Sequence, residues 1–368
     1  MLGAARRKYC PHVRALRVAF EALQAAARET LRLCRLSKPA QAGLEPQAPA
    51  PRGLALLGAA RRGGRPPFSK VVLRMLINRI VTVIGVGNMG GAMAANLLAR
   101  GWQVEVCDLD ASKVEDLESF GALALYSPAQ AAINSIAYVI CVVDAVQTDA
   151  VLFGDGGLAG RLQPGQVVML CPTLAPDDVE NFTQRLAARG IHVVDAPMSG
   201  GPVRAKEGTM SLMVACDNAV FERLSGLLQT LASKVFKISE KPGDAARTKL
   251  VNNLLAGINL VGAAEALALA GRLGLDLAKT LDVIEQSSGQ SWIGSDRMRR
   301  ALAGDFAPRA HVTLLEKDTR LALDCARAVG FDGPLGQHAS SVFAQASAAG
   351  LAGLDDAAIF TYLSGAKD

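Results

Sequence analysis

The sequence is short of the groups that would point to several function classes. Its seven cysteines are odd in number and scattered through 368 residues with no C-x-x-C spacing. That argues against a disulfide framework or a thiolate metal site and suits small apolar thiols in a reducing, cytoplasmic compartment. The four histidines (His12, His192, His311, His338) are dispersed and form no ligand pair, so no metal is expected. Aromatic residues make up only 5% against 50% apolar residues overall, which suits an Ala/Leu/Val-rich soluble α/β protein. No apolar run is a convincing membrane span, because the most apolar window, Leu254 to Gly271, carries Asn259 and Glu265. Acidic residues are nearly missing from one place alone. Residues 1–74 hold fifteen Lys/Arg and three Asp/Glu, a net +12, and the remainder carries −7. The formal +5 of the whole chain therefore describes no basic surface on the body, and nucleic acid is not an expected partner.

Residues 1–74 contain Ala-Ala-Arg repeats, a Pro/Ala/Gln stretch at Pro39–Pro51 and Arg-Arg-Gly-Gly-Arg-Pro-Pro at 61–67. They lack the continuous apolar core of a secretory signal. An Arg-rich, acid-poor segment fits a transit peptide or a basic contact arm. The simplest expectation is a disordered or mispredicted basic extension ahead of Met75.

Beyond it the chain alternates short Val/Ile/Leu runs with helical segments. Runs at 79–84, 103–107, 137–143, 166–170, 191–194 and 211–214 read as strands, with helices such as 177–189 and 218–231 between them. Near-continuous apolar strands separated by helices predict a parallel sheet covered on both faces. A last strand near 235–238 and the break Lys241-Pro242-Gly243 close this region, and everything after it reads as helix. The fold expected is α/β: a Rossmann-type, doubly wound parallel sheet over 75–240, then an all-α domain over 241–368. A long helix from about Asp244 to Leu273, apolar on nearly every side, joins the two and suggests a homodimer or homotetramer.

The first strand leads into Gly85-Val86-Gly87-Asn88-Met89-Gly90 and a helix start, the setting in which G-x-G-x-x-G binds a dinucleotide. Gly85 permits the tight turn, Gly87 lets backbone approach a pyrophosphate, and Gly90 lets helix and strand pack closely. The second strand ends at Asp108, where a carboxylate accepts from the ribose hydroxyls of NAD. Against the 2′-phosphate of NADP it would repel by about 4 kcal/mol at about 4 Å and an effective dielectric near 20. The other reading of Asp108 is a helix N-cap, since Asp-Leu-Asp-Ala-Ser also has that pattern.

Two further segments bear chemistry. Ser199-Gly200-Gly201 follows a strand end, where it offers a hydroxyl and open backbone N–H groups to a carboxylate, or else serves as a turn needing positive φ. Lys249 and Asn253 stand four apart on one helix face, a pair that suits alcohol oxidation; the alternative is a solvated surface lysine.

GVGNMG, DAPMSGG and KLVNN, in this order and spacing, resemble the three signatures of the β-hydroxyacid dehydrogenase family, which includes 3-hydroxyisobutyrate dehydrogenase and tartronate semialdehyde reductase. The resemblance runs from Arg79 to the C-terminus and covers none of residues 1–74. It implies that Lys249 is the general acid/base, that Asn253 orients the substrate, and that Ser199, Gly200 and Gly201 bind its carboxylate. It further implies that Thr173 lies near the nicotinamide ribose and that Lys317 closes over the nicotinamide end. Pro172 departs from the serine usual there. VDAVQTDAVLFG at 143–154 and SSGQSW at 287–292 resemble a branch that oxidises the C2 hydroxyl of a four-carbon sugar acid with NAD. The Ser/Gln/Ser run suits a polyhydroxylated substrate, or is an ordinary turn and cap. Alternatives within the family are 3-hydroxyisobutyrate and glycerate or tartronate semialdehyde. A non-catalytic nucleotide-binding protein is the remote one.

Overall fold

The computed structural model describes residues 79–365, so the expectation for 1–74 lies outside the described residues. Strand β1 (Ile80–Ile84) is buried along its whole length. It is followed by α1 (Asn88–Ala99), β2 (Gln103–Cys107), α2 (Ala111–Ser119), β3 (Leu123–Ala124), β4 (Ala137–Ile140), α3 (Ala145–Phe153), β5 (Val167–Leu170), α4 (Pro176–Ala187) and β6 (His192–Asp195). These strands lie in the order β3-β2-β1-β4-β5-β6, every pair parallel. The order reverses at β1, which puts the topological switch point between β1 and β4, directly above the glycine turn.

The alternation of side chains along each strand feeds two cores. Val81, Val83, Val139 and Met169 face Met93 and Leu97 of α1. Ile84, Tyr138, Ile140, Val168 and Leu170 face Leu152 of α3 and Phe182 and Leu186 of α4. Truncating one of these fully buried leucines, as in Leu97→Ala, costs about 2–5 kcal/mol.

The sheet continues through β7 (Met198–Ser199), α5 (Gly201–Glu207), β8 (Met210–Ala215), α6 (Asn218–Leu231) and β9 (Ala232–Ser239). Here the all-parallel expectation needs a qualification: β8 runs antiparallel to β6 and β7, while β9 is parallel to β8. The Ser199–Gly201 turn and the short α5 leave the chain at the end of the sheet where β6 stopped, so β8 re-enters from that end.

Beyond Gly243 the chain is helical. Its elements are α7 (Asp244–Arg272), α8 (Leu277–Glu285), α9 (Trp292–Leu302), α10 (Val312–Ala328), α11 (Pro334–Ala346) and α12 (Ile359–Ser364). Helix α7 spans 29 residues and is the axis against which α9, α10, α11 and α12 pack. By length and hydropathy it could cross a bilayer, but Leu260, Ala264 and Leu267 are buried among Met298, Leu315 and Phe343 of its neighbours. Its opposite side exposes Val251, Leu255 and Leu269, so it is not enclosed all round within one chain.

Candidate active site

Gly85 adopts φ +87°, and a Cβ there would stand 2.5 Å from the Cys141 carbonyl oxygen, so β1 and β4 meet too closely for a side chain. A Cβ on Gly90 would overlap the Gly85 carbonyl oxygen at 1.9 Å, which is why helix and strand can approach. Gly87 is different. A Cβ on it would meet nothing within 4 Å, so its bareness serves no packing within the chain and keeps open the space in front of α1. Gly87 is also the N-cap of α1 and supplies no capping side chain. The N–H groups of Asn88, Met89 and Gly90 therefore begin the helix with no intrahelical acceptor, a ready anion site. Val86 donates its N–H to Asp108 Oδ2 at 2.7 Å, tying the loop to the end of β2. The cap reading of Asp108 is settled by its neighbour: Asp110 is the N-cap of α2, accepting from Ser112 N. Asp108 is left at the strand end beside the glycine loop. The residues present fit a dinucleotide.

The sheet edge positions the second half of the site through a contact that sequence reading did not anticipate. Asp195, at the end of β6, is buried, and its Oδ2 accepts the N–H groups of Gly243 (2.8 Å) and Ala246 (3.0 Å). The N-terminus of α7 has no capping side chain of its own; a carboxylate from 48 residues upstream does that work. Burial pushes the Asp195 carboxyl up to about 6, against the lowering effect of these hydrogen bonds.

Thus anchored, α7 buries Lys249 and Asn253 on one side. Gly257, two turns past Lys249, lets Thr319 approach so closely that a Cβ would sit 2.8 Å from its Cγ2. That close crossing brings α10 against α7 with Lys317 and Asp318 beside the pair. Asp318 links them: Oδ2 accepts from Asn253 Nδ2 at 2.6 Å, and Oδ1 holds Lys317 Nζ at 2.6 Å. Lys317 Nζ also donates to the Thr173 carbonyl at 2.8 Å, joining the helical domain to the end of β5. Asp318 was missed from sequence; an acid after a lysine on an amphipathic helix carries no signal of burial.

Lys249 stands apart within this cluster. It is 7% exposed, and among the described residues none accepts a hydrogen bond from its Nζ. Burial pushes its ammonium down to about 8; Asp318 opposes the fall and Lys317 adds to it. A buried amine that loses its proton this readily has the property a general base requires, and the solvated-surface reading of Lys249 does not hold.

Ser199 pairs with Ser211 across β7 and β8, and Gly200 and Gly201 take positive φ of 133° and 72°. A Cβ on Gly200 would press the Arg204 side chain at 2.9 Å, whereas Gly201 opens onto free space. Arg204 in turn places its guanidinium 5.8 Å from the Trp292 ring, so the Ser199–Gly201 turn and the 287–292 segment lie near one another. In that segment Ser291 is used as the N-cap of α9, accepting Gly294 N, while the side chains of Ser288 and Gln290 make no hydrogen bond within the described residues.

A glycine-loop nucleotide fold whose sheet edge meets a helical domain bearing a buried, unpaired lysine defines a nucleotide-dependent dehydrogenase. Residues 80–239 match the NAD binding domain of 6-phosphogluconate dehydrogenase. Residues 243–363 match the NAD-binding domain of NADP-dependent 3-hydroxyisobutyrate dehydrogenase. L-threonate dehydrogenase from Cupriavidus necator is 37% identical over 289 residues, covering 78% of this chain and 97% of that protein. The enzyme of the same name from Escherichia coli O6:H1 is 36% identical over 286 residues, covering 77% and 95%. A crystal structure of 3-hydroxyisobutyrate dehydrogenase from Salmonella typhimurium superposes with a TM-score of 0.73 at 36% identity, covering 77% of this chain and all of that one. The chain belongs to the 3-hydroxyisobutyrate dehydrogenase family of NAD-binding hydroxyacid dehydrogenases.

Proposed function

We propose that this chain oxidises the C2 hydroxyl of L-threonate, a four-carbon sugar acid, to the 2-oxo acid. The reading is carried by one observation: Lys249 is buried, unpaired and shifted down to about 8 beside an ordered amide. Bound NAD supplies the hydride acceptor. Gly85 to Gly90 hold its diphosphate, Asp108 its adenosine ribose, and Thr173 and Lys317 its nicotinamide end. Ser199 Oγ and the N–H groups of Gly200 and Gly201 grip the substrate carboxylate and so fix the carbinol carbon. One Asn253 N–H is committed to Asp318, which leaves the other free to donate to the substrate hydroxyl oxygen. Lys249 in its neutral form takes the hydroxyl proton. Asp318 is a positioning residue, orienting Asn253 and Lys317 together. The unengaged Ser288 and Gln290 side chains favour a substrate with extra hydroxyls over the methyl-bearing 3-hydroxyisobutyrate.

Near pH 8 about half of Lys249 is unprotonated, so kcat/KM for oxidation rises with pH and levels off above about 8. Lys249→Ala lowers turnover about 10²–10⁴-fold with NAD affinity nearly intact. NAD reduction measured against C3–C4 hydroxy and sugar acids of both hands tests the substrate. Preference for L-threonate supports the proposal, whereas preference for 3-hydroxyisobutyrate or glycerate moves the substrate within the family. Unchanged turnover of Lys249→Ala refutes the mechanism. The exposed Val251, Leu255 and Leu269 of α7 support assembly as a homodimer or homotetramer, which sedimentation measures. The five described cysteines are all free, which supports a cytoplasmic setting, testable by fractionation.

A further inference from the structure

We infer that Arg309, carried by the helical domain, completes the diphosphate cradle of the cofactor, an inference that rests on the NAD reading above. The fingerprint itself contains no basic residue, and α1 has none in its first turn. The helix terminus offers only about half an elementary charge to a group carrying two negative charges. The loop between α9 and α10 meets this terminus. Asn88 Nδ2 donates to the carbonyl oxygens of Pro308 (3.3 Å) and Arg309 (3.4 Å). The loop is held from behind by Asp355, which is fully buried. Its Oδ2 accepts the N–H groups of Arg309 (2.8 Å) and Ala310 (3.3 Å), and its Oδ1 is held by Arg300 Nη2 at 2.7 Å. The backbone of Arg309 is thereby fixed beside the anion site, while its side chain is exposed and takes no part in the core.

The Arg309 guanidinium forms an ion pair with Asp305 at 2.8 Å. An exposed carboxylate pair of this kind is weak, and a diphosphate offers a planar guanidinium a stronger, bidentate partner. The same loop runs straight into α10, whose Lys317 lies roughly 8 Å further along the helix axis and reaches Thr173. The helical domain therefore touches the nucleotide domain at two points along the path a dinucleotide takes: Asn88 with the Arg309 loop at the diphosphate in its middle, Lys317 with Thr173 at its nicotinamide end. Cofactor affinity is in this way coupled to the approach of the two domains.

The test is titration of the full chain with NAD and with ADP-ribose, which carries the diphosphate and lacks the nicotinamide. Arg309→Ala weakens both ligands alike by about tenfold at low salt. The deficit shrinks as ionic strength rises. Arg309→Lys recovers part of the loss, and Asp305→Asn, which releases Arg309, tightens both ligands. The KM of the hydroxy acid at saturating NAD is unchanged. Wild-type affinity in Arg309→Ala overturns the inference. So does a loss confined to NAD, which puts the contact at the nicotinamide. If the wild-type chain binds neither ligand, the NAD reading itself fails and the role of Arg309 falls with it.

Discussion

Replacing Lys249 by methionine should abolish oxidation and make the protein more stable. Methionine keeps the unbranched stem that fills the site and removes the ammonium, which is buried and has no hydrogen-bond partner among the described residues. The fall from 10.5 to about 8 means that the fold disfavours the charged form by about 3 kcal/mol. For a lysine depressed in this way, the folded state binds fewer protons than the unfolded one. The penalty is therefore full below pH 8, shrinks as pH rises from 8 to 10.5, and is absent above 10.5. At pH 7 Lys249→Met should gain about 2–3 kcal/mol, or about 5 °C in Tm for a fold of this size. At pH 9 the gain should be about 2 kcal/mol, and near pH 10.5 it should vanish. Urea unfolding of both proteins at pH 7, 9 and 10.5, with initial rates at pH 8, supplies every number needed. A loss of stability at pH 7, or a gain that persists undiminished at pH 10.5, refutes the claim that burial drives this amine toward its neutral form.

Gly87→Ala should fold as the wild type does, because a Cβ there meets nothing, yet bind NAD at least tenfold more weakly; Gly90→Ala, with its 1.9 Å overlap, should fail to fold. Equal NAD affinity in Gly87→Ala would take the diphosphate away from this loop. Asp108→Ser should narrow the preference for NAD over NADP by about tenfold or more, read as the ratio of kcat/KM values. Asp195→Ala leaves the Gly243 and Ala246 N–H groups unpaired in the interior and should cost about 2 kcal/mol in urea unfolding, with kcat falling because α7 carries Lys249, the proposed base.

What could be read ahead of the structure divides along a physical line. Features that repeat locally were visible: the Val/Ile runs of β1, β2 and β5, the glycine turn after β1, and the 29-residue span of α7. Strands β3 and β7 were not, since two residues cannot show a period of two. Contacts that close over long separations were also hidden. Asp195 was visible within DAPMSGG, yet its task is to cap a helix that starts 48 residues later. Asp318 sits next to a lysine already singled out, but only the close crossing at Gly257 turns it inward onto Asn253, 65 residues away. Asp108 could be read as a ribose ligand or as a helix cap; the cap falls to Asp110 instead, and Val86, 22 residues earlier, presents its N–H to Asp108. In each case the chemistry of the side chain was legible and its partner was not, because a partner is chosen by tertiary geometry. The residues proposed to carry reaction chemistry, Lys249 above all, stand out by type and spacing, and the residues that surround and orient them are found only where the two domains meet.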